Sequence, residues 1–250
     1  MNFLKLCIAV VVFASMIAVG SASAASCSNA TLKGVIGSLD AGFNAGQPEA
    51  TLTQSTADGN GHLTAGTFTS SSGGTIVTGT FAGTYSIAKN CIGSYTVTFQ
   101  NNSTASGYFV LDGMNKGSQT IRTDSGYVKS GVILAQGAVA CGLTGKKQTL
   151  AANLFGAING VGAVAIVGQV ILDGRGNISG NETASLNGTI APPASISGTY
   201  TETANCTGSA KITPQGLNAL NFNFVVVNGG KEILLIETDP GTTISGPMQQ

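Results

Sequence analysis

The residue types that most often carry catalysis are scarce in this sequence. His62 is the single histidine among 250 residues, and it follows the glycine-rich stretch Asp58 to Gly61. A Ser-His-Asp or Cys-His arrangement would have to use this side chain, and the count excludes a site with several histidine ligands. A histidine beside a turn is most often a solvated residue at a strand end. The sequence therefore predicts no catalytic residue.

The sequence also gives no support for a metal site or a cofactor site. Asp58 opens a D-x-N-G string like that of a calcium loop, but the twelfth position, which needs a bidentate Glu, is Thr69 here. The corresponding string at Asp173 carries the cation Arg175 at its third position. The glycines form no phosphate loop or dinucleotide fingerprint, because no helix follows them. We predict hairpin turns at both strings, no metal and no cofactor.

Three carboxylates lie close together near the C-terminus, at Glu232, Glu237 and Asp239. A glycosidase needs two carboxylates that face one cleft. Residues five apart on a regular strand point to opposite faces of the sheet, so Glu232 and Glu237 do not meet that need. We interpret these residues as a polar strand edge.

The first 25 residues have the pattern of a secretory signal peptide. Lys5 precedes an apolar run from Leu6 to Val19, and Ala22-Ser23-Ala24 fits the A-x-A pattern that signal peptidase cleaves. The run is shorter than the roughly 20 residues of a membrane span, and no second run of that length follows. We predict a cleaved signal peptide at 1–25, no membrane span after cleavage, and a secreted location, extracellular or periplasmic.

The composition limits the kinds of partner. Charged residues make up 9% of the chain, the formal net charge is +0, and there are 36 glycines. Nucleic-acid binding rests on clustered Lys and Arg, and no such cluster occurs, so we predict no nucleic-acid partner. A neutral, hydroxyl-rich surface suits an extracellular setting, and it also suits a structural subunit that associates with itself.

A shift of 115 residues brings the chain into register with itself. Gly83-Thr84-Tyr85 falls on Gly198-Thr199-Tyr200, and Asn90-Cys91 falls on Asn205-Cys206. This register predicts two homologous units, at 26–135 and 136–250, each near the common domain size. The segment from Leu134 to Ala140 would link them, and we expect the two units to pack against each other.

The cysteines follow the same repeat. Cys27 precedes Cys91 by 64 residues, and Cys141 precedes Cys206 by 65. Four cysteines allow three pairings, of which the repeat favours Cys27–Cys91 and Cys141–Cys206. The shared phrase would then be a structural corner, where a hairpin turn meets a disulfide bond.

Alternation of apolar and polar residues predicts strands almost throughout. In the run Leu220 to Val225, Leu220, Phe222 and Phe224 should face a core while the intervening asparagines face outward. The more continuously apolar run from Ala163 to Leu172 predicts a buried strand. Asp-Gly and Asn-Gly turn signals recur at short intervals. We therefore predict an all-β chain of two tandem antiparallel units, each a small barrel (or a sandwich) of about seven or eight strands.

The phrase GTYT…NCTG, together with the residues 224–233 and 237–241 that follow it, resembles a group of secreted bacterial β-rich proteins that lack an assigned function. The resemblance is best in the second unit. It implies an exported bacterial protein, and it carries no catalytic residue across to this chain.

Three hypotheses for the function follow. The first is a secreted, non-enzymatic protein that binds a small or apolar ligand, with Tyr85, Phe109, Tyr200 and Phe224 as candidate ligand-binding residues. The second is a structural, surface-assembly or adhesion protein that associates with itself through strand edges. The third is an enzyme that works in a barrel cavity without a known motif. The identity of the partner stays open in all three.

Overall fold

Alternation of buried and exposed side chains runs along most of the chain that the computed structural model describes, residues 26–112, 118–137 and 141–250. The predicted signal peptide at 1–25 lies outside these residues. The strands close into two antiparallel barrels in tandem. The prediction of two all-β barrel units is confirmed, and the units are not sandwiches.

The first barrel has, within residues 26–112 and 118–137, eight strands in sequential order, and the last strand pairs with the first. They are β1 (Lys33–Asn44), β2 (Gln47–Asp58), β3 (His62–Ser72), β4 (Thr75–Ile87), β5 (Ile92–Phe99), β6 (Thr104–Leu111), β7 (Ser118–Arg122) and β8 (Tyr127–Ala135). A single 3-10 turn, Asn29–Thr31, precedes β1. Leu134, which we expected in the linker, belongs to β8.

The second barrel repeats this arrangement within residues 141–250. Its strands are β9 (Gln148–Ile158), β10 (Gly162–Leu172), β11 (Asn177–Leu186), β12 (Thr189–Ile190), β13 (Ala194–Glu202), β14 (Thr207–Pro214), β15 (Leu220–Val227), β16 (Glu232–Glu237) and β17 (Thr242–Gln249). β17 returns to β9, and the pairing of β10 with β11 closes the ring, with β12 a two-residue extension on β11. No helix in the described ranges is both long enough and apolar enough to cross a membrane.

The burial pattern agrees with the prediction in β15 and differs from it in β10. Phe222 and Phe224 are buried and Asn221 is exposed, as predicted. β10 is a strand, as predicted, but it is not buried on both faces. Val164 and Ile166 point into the barrel while Val167 is exposed on the outer wall, because a barrel strand has a lumen face and a solvent face.

The repeated phrase is a corner, as predicted. The disulfide bonds Cys27–Cys91 and Cys141–Cys206 are both present. Cys91 and Cys206 adopt the left-handed conformation, with φ of 66° and 65°, and each ends a turn that its own backbone N–H closes. Each bond therefore fastens the start of its unit to a hairpin at one end of the barrel.

The glycines that follow these cysteines make room for phenylalanines. Gly93 pairs with Phe109 across β5 and β6, and Gly208 pairs with Phe224 across β14 and β15. A Cβ atom at either glycine would lie 2.3 Å from the Cζ atom of its Phe ring. The ring lies over the bare backbone, so the two positions must change together.

The two barrels pack against each other, as we expected. An apolar cluster joins Leu39, Ala50, Leu52 and Leu134 of the first barrel to Val225, Val227, Leu234 and Ile236 of the second. A Cβ atom at Gly37 would lie 2.7 Å from the Cγ1 atom of Val225, so this glycine lets the outer walls approach closely. Hydrogen bonds flank the cluster: the Ser71 hydroxyl donates to the carbonyl oxygen of Thr242 at 2.5 Å.

Candidate functional site

A cavity of about 80 Å³ lies inside the first barrel. Strands β3 to β5 line it mainly with the apolar side chains Leu63, Phe81, Val97 and Phe99. The adjacent strands β7, β8, β1 and β2 line it with polar ones: Arg122, Thr120, Lys129, Asp40 and Thr51. The cavity therefore has an apolar side and a charged side.

Lys129 and Glu49 form an ion pair within the lumen. The Lys129 Nζ atom lies 2.8 Å from the Glu49 Oε1 atom and donates a second hydrogen bond of 2.8 Å to the Thr51 hydroxyl. Both charged residues are almost fully buried, at 3% and 5% exposed. Burial alone would raise the pKa of Glu49, but the ammonium charge and hydrogen bond of Lys129 hold that pKa below its usual value.

Asp40 is the second acid of the lumen, and it is half-buried. Its carboxylate makes no hydrogen bond or ion pair with another described residue, although it faces the cavity. Burial raises the pKa of Asp40 to about 6, against the opposing charges of Lys129 and Arg122. At neutral pH the lumen thus presents an ionised acceptor without a direct partner.

Arg122 lies at the end of β7 and marks the rim of the lumen. Its Nε atom donates to the Asp124 Oδ2 atom at 2.7 Å, and its guanidinium carbon lies 3.7 Å from the centre of the Tyr127 ring. The Arg122 side chain is 14% exposed and that of Asp124 is 27% exposed. This ion pair is therefore the point where the charged side of the cavity reaches solvent.

The same positions are apolar in the second barrel, and strand pairing makes the correspondence explicit. Gly42 pairs with both Glu49 and Lys129, and its counterpart Gly156 pairs with both Val164 and Ile244. One step along, Asp40 pairs with Thr51, whereas Leu154 pairs with Ile166. These four replacements, Val164, Ile244, Leu154 and Ile166, are all buried in the second core.

Tyr95 and Arg122 also differ from their counterparts in the second barrel. Both pair with Gly107, and their counterparts Ala210 and Glu237 both pair with Phe222. The Tyr95 hydroxyl would lie 2.5 Å from a Cβ atom at Gly107, so the glycine leaves room for the tyrosine. In the second barrel the aromatic ring comes from the neighbouring strand and is Phe222. The first barrel therefore places a hydroxyl where the second places hydrocarbon.

The size of the cavity limits what it can hold. A water molecule needs roughly 10–15 Å³ of such space, whereas drug-sized ligands occupy pockets of about 300–1,000 Å³. The lumen as it stands accommodates several waters or one solute of a few non-hydrogen atoms.

Larger grooves of about 370 and 300 Å³ lie where the barrels meet. In the first groove the polar groups bind one another: Asn223 donates to the Thr69 hydroxyl at 3.0 Å, and Asn205 donates to the Gln54 side chain at 3.2 Å. The second groove is almost entirely apolar, with Phe43 and Phe155 at its sides. Neither groove presents an unpartnered charge like that of Asp40, so the lumen is the better candidate site.

The aromatic candidates from the sequence lie in the two cores, away from this cavity. Tyr85 and Phe109 are buried in the first barrel, and Tyr200 and Phe224 in the second. The Tyr85 hydroxyl accepts from the Gly59 N–H at 2.9 Å and donates to the Leu32 carbonyl at 2.6 Å. Their role as ligand-binding residues stays a prediction, and the contacts just described are those of core residues.

His62 is the exposed first residue of β3, next to a turn, as predicted. The Asp58 carboxylate accepts hydrogen bonds from the backbone of Asn60 and from His62, whose Nδ1 atom lies 2.9 Å from Asp58 Oδ2. Asp173 caps the corresponding turn, where Asn177 takes the place of the histidine. These hydrogen bonds lower the pKa of both aspartates. Within the described residues no group of three His, Cys, Asp or Glu side chains could hold a metal ion.

The interpretation of Glu237 as part of a polar strand edge is wrong. Its side chain is fully buried inside the second barrel, and neither carboxylate oxygen has a hydrogen-bond partner among the described residues. Burial, with a smaller contribution from Asp239, raises the pKa of Glu237 to about 7. Glu232 lies on the opposite face, as the five-residue spacing predicted, and receives hydrogen bonds from Asn228 and Gln249.

Sequence reasoning missed Asp40, Glu49, Arg122 and Lys129, although a signal was present. Three of these positions have an apolar residue in the other unit, and the fourth has a charge of opposite sign. Positions at which the two repeats have the same residue belong to the scaffold. The candidate site residues are lumen-facing positions at which the two repeats have different residues.

Comparisons with known proteins leave the chain without a family. No family model and no curated protein matches it. Among solved structures it is similar to isotype 1 transferrin binding protein B from serogroup B Neisseria meningitidis, at 8% sequence identity and a TM-score of 0.38. The alignment covers 81% of this chain and 64% of that one, so the chain spans less than two thirds of its length. A likeness this distant says nothing of what this chain binds.

Proposed function

We propose that the protein is an exported, non-enzymatic binding protein whose first barrel takes a small ligand into its charged lumen. The second barrel serves as a packed support for the first. The carboxylate of Asp40, which faces the cavity without a hydrogen-bond partner among the described residues, is the observation that carries this proposal.

The cost of the buried charges supports the proposal. A buried ion pair is often no more stabilising than well-packed hydrocarbon of the same volume. The second barrel shows that this scaffold closes around Leu154, Val164 and Ile244 at the same positions. Since the fold does not need the ions, a binding role gives a reason for their presence.

The disulfide bonds support a site of action outside the cytoplasm. Structural disulfides persist in oxidising compartments and are rare in the cytosol, and each half of this chain has one. Together with the predicted signal peptide, they favour an extracellular or periplasmic protein, in line with the resemblance to secreted bacterial proteins.

Native mass spectrometry of the protein purified from its own host tests the proposal. We expect a bound small molecule that is lost when the lumen is filled by Thr120→Leu, which introduces the residue found at the equivalent position, Leu235. Gln119→Leu, on the outer face of the same strand, is the matched control and should keep the ligand. Retention of the ligand by the filled variant would place the binding site elsewhere.

A further inference from the structure

We propose that the ligand of the first barrel is a small primary amine with an apolar tail, bound by its ammonium group at Asp40. This inference rests on the proposed function and names the chemistry of the same site.

The charge balance of the lumen favours a cation. Lys129 is paired with Glu49, and Arg122 is paired with Asp124. Asp40 is the charge left over, so with every group ionised the lumen and its rim carry one negative charge in excess. A single positive charge on the ligand neutralises it.

The available hydrogen-bonding groups agree with that sign. The Asp40 carboxylate only accepts when it is ionised, and no described residue donates to it. The Lys129 ammonium already has Glu49 and Thr51 as acceptors. An ammonium group supplies the donors that Asp40 lacks, and hydrogen bonds between charged groups are roughly twice as strong as neutral ones.

The wall facing Asp40 determines the rest of the ligand. Phe81 and Phe99 pack edge-to-face, with ring centres 6.1 Å apart, and both line the cavity. Leu63 and Val97 continue this surface. A short alkyl or aryl chain can bury its carbon atoms there, and the 80 Å³ volume limits that chain to a few atoms.

A carboxylate ligand fits this site less well. It would bring a second negative charge next to Asp40, and the two cations that could offset it already hold Glu49 and Asp124. A neutral alcohol avoids that repulsion but leaves the excess charge of Asp40 in place.

Three probes of equal chain length separate these possibilities: butylamine, butanol and butyrate. Each is titrated into the uniformly 15N-labelled, disulfide-bonded protein, and amide shifts on β1, β7 and β8 are followed by NMR at pH 8. We expect butylamine to bind at least tenfold more tightly than the other two. A primary amine is protonated at all pH values well below 10. Any pH dependence of its binding in that range therefore comes from titration of the protein.

The pH profile and one variant locate the interaction. The charged and titratable groups that face Asp40 are Lys129 on β8, Arg122 on β7, Glu49 on β2 and Tyr95 on β5. Burial raises the pKa of Tyr95 to about 12, and Lys129 holds the pKa of Glu49 below its usual value, whereas Asp40, with its pKa of about 6, should titrate between pH 5 and 8. We expect butylamine affinity to fall toward tenfold per pH unit below about 6.

Asp40→Asn should abolish that pH dependence and lower the affinity for butylamine at least tenfold. Glu237→Gln in the second barrel should change neither the pH dependence nor the affinity. Tighter binding of butanol or butyrate than of butylamine would overturn the amine inference and leave the proposed binding function standing. Absence of lumen shifts with all three probes would contradict the proposed function itself.

Discussion

The two barrels share a scaffold and differ in what they enclose. In the described ranges both close a ring of eight strands, with a disulfide at the same corner and a glycine beneath a phenylalanine at the same register. The second barrel encloses an apolar core with one buried acid, Glu237, whereas the first keeps Asp40 and Lys129 at a cavity, with Glu49 paired to Lys129. The shared residues stabilise the closed barrel, and under the proposed function the residues that differ would determine what the first barrel binds.

The largest single effect should come from breaking the ion pair of the first barrel. Lys129→Met leaves Glu49 buried without its cation, and an uncompensated buried charge destabilises by about 3–5 kcal/mol. Urea unfolding at pH 7 measures this loss. Part of it should be recovered at acidic pH, because burial without the Lys129 cation favours the protonated form of Glu49. A loss below about 1 kcal/mol at pH 7 would show that the pair is not effectively buried.

The disulfide bonds should contribute equally, since they close loops of nearly equal length. Replacement of Cys27 and Cys91 by Ala should cost roughly 4 kcal/mol in the chain-entropy model, and so should replacement of Cys141 and Cys206, because the separations are 64 and 65 residues. Chemical denaturation of the two double variants checks this. A difference of more than about 2 kcal/mol would mean that the two corners are not equivalent.

The buried acid of the second barrel should destabilise it at neutral pH. The pKa of Glu237 is about 7 in the folded state and 4.5 ordinarily, so the folded protein holds this proton more tightly than the unfolded chain does. Stability should therefore fall as the pH rises from about 4.5 to 7, by about 3 kcal/mol.

Glu237→Gln should remove that fall, raising stability by up to about 3 kcal/mol above pH 7 and changing it little below pH 4. Unfolding curves at pH 4 and pH 8 are sufficient. An equal change at both values would show that the effect does not come from ionisation.

The smallest effect in this series concerns the two tyrosines of the repeated phrase. Tyr85 has a donor at Gly59 and an acceptor at Leu32, whereas Tyr200 donates to the Leu143 carbonyl at 3.1 Å. Tyr85→Phe leaves the Gly59 N–H without its acceptor and should cost about 2 kcal/mol, against about 1 kcal/mol for Tyr200→Phe. Thermal unfolding of the two variants measures the difference, and a larger cost at Tyr200 would reverse the expected order.

The scaffold could be predicted from the sequence because its signals are local or repeated. Alternation in Leu220 to Val225 defines a strand with one buried face, and the shared spacing of the cysteines selects one pairing of three. Whether the strands close into a barrel depends on which strands pair, and the sequence repeat does not show that pairing. The sandwich alternative was resolved only by the pairing of β1 with β8 and of β10 with β11.

The site could not be predicted in the same way because its members are single charges far apart in sequence. Asp40, Arg122 and Lys129 meet only when β1 lies against β8 and β8 against β7. The aromatic residues drew attention because of their size, yet size is what a core needs, and the structure buries them there. Glu237 was misjudged because its closeness in sequence to Glu232 and Asp239 resembles a polar strand edge.

One exchange between the barrels tests the central claim most directly, that the ions of the first barrel serve binding and not folding. The triple variant Asp40→Leu, Glu49→Val and Lys129→Ile gives the first lumen, at these three positions, the residues of the second. Its free energy of unfolding and its binding of butylamine are measured beside those of the unaltered protein. We predict stability equal to or up to about 4 kcal/mol above that of the unaltered protein, with binding lost; a variant that is clearly less stable, or that still binds, would contradict the claim.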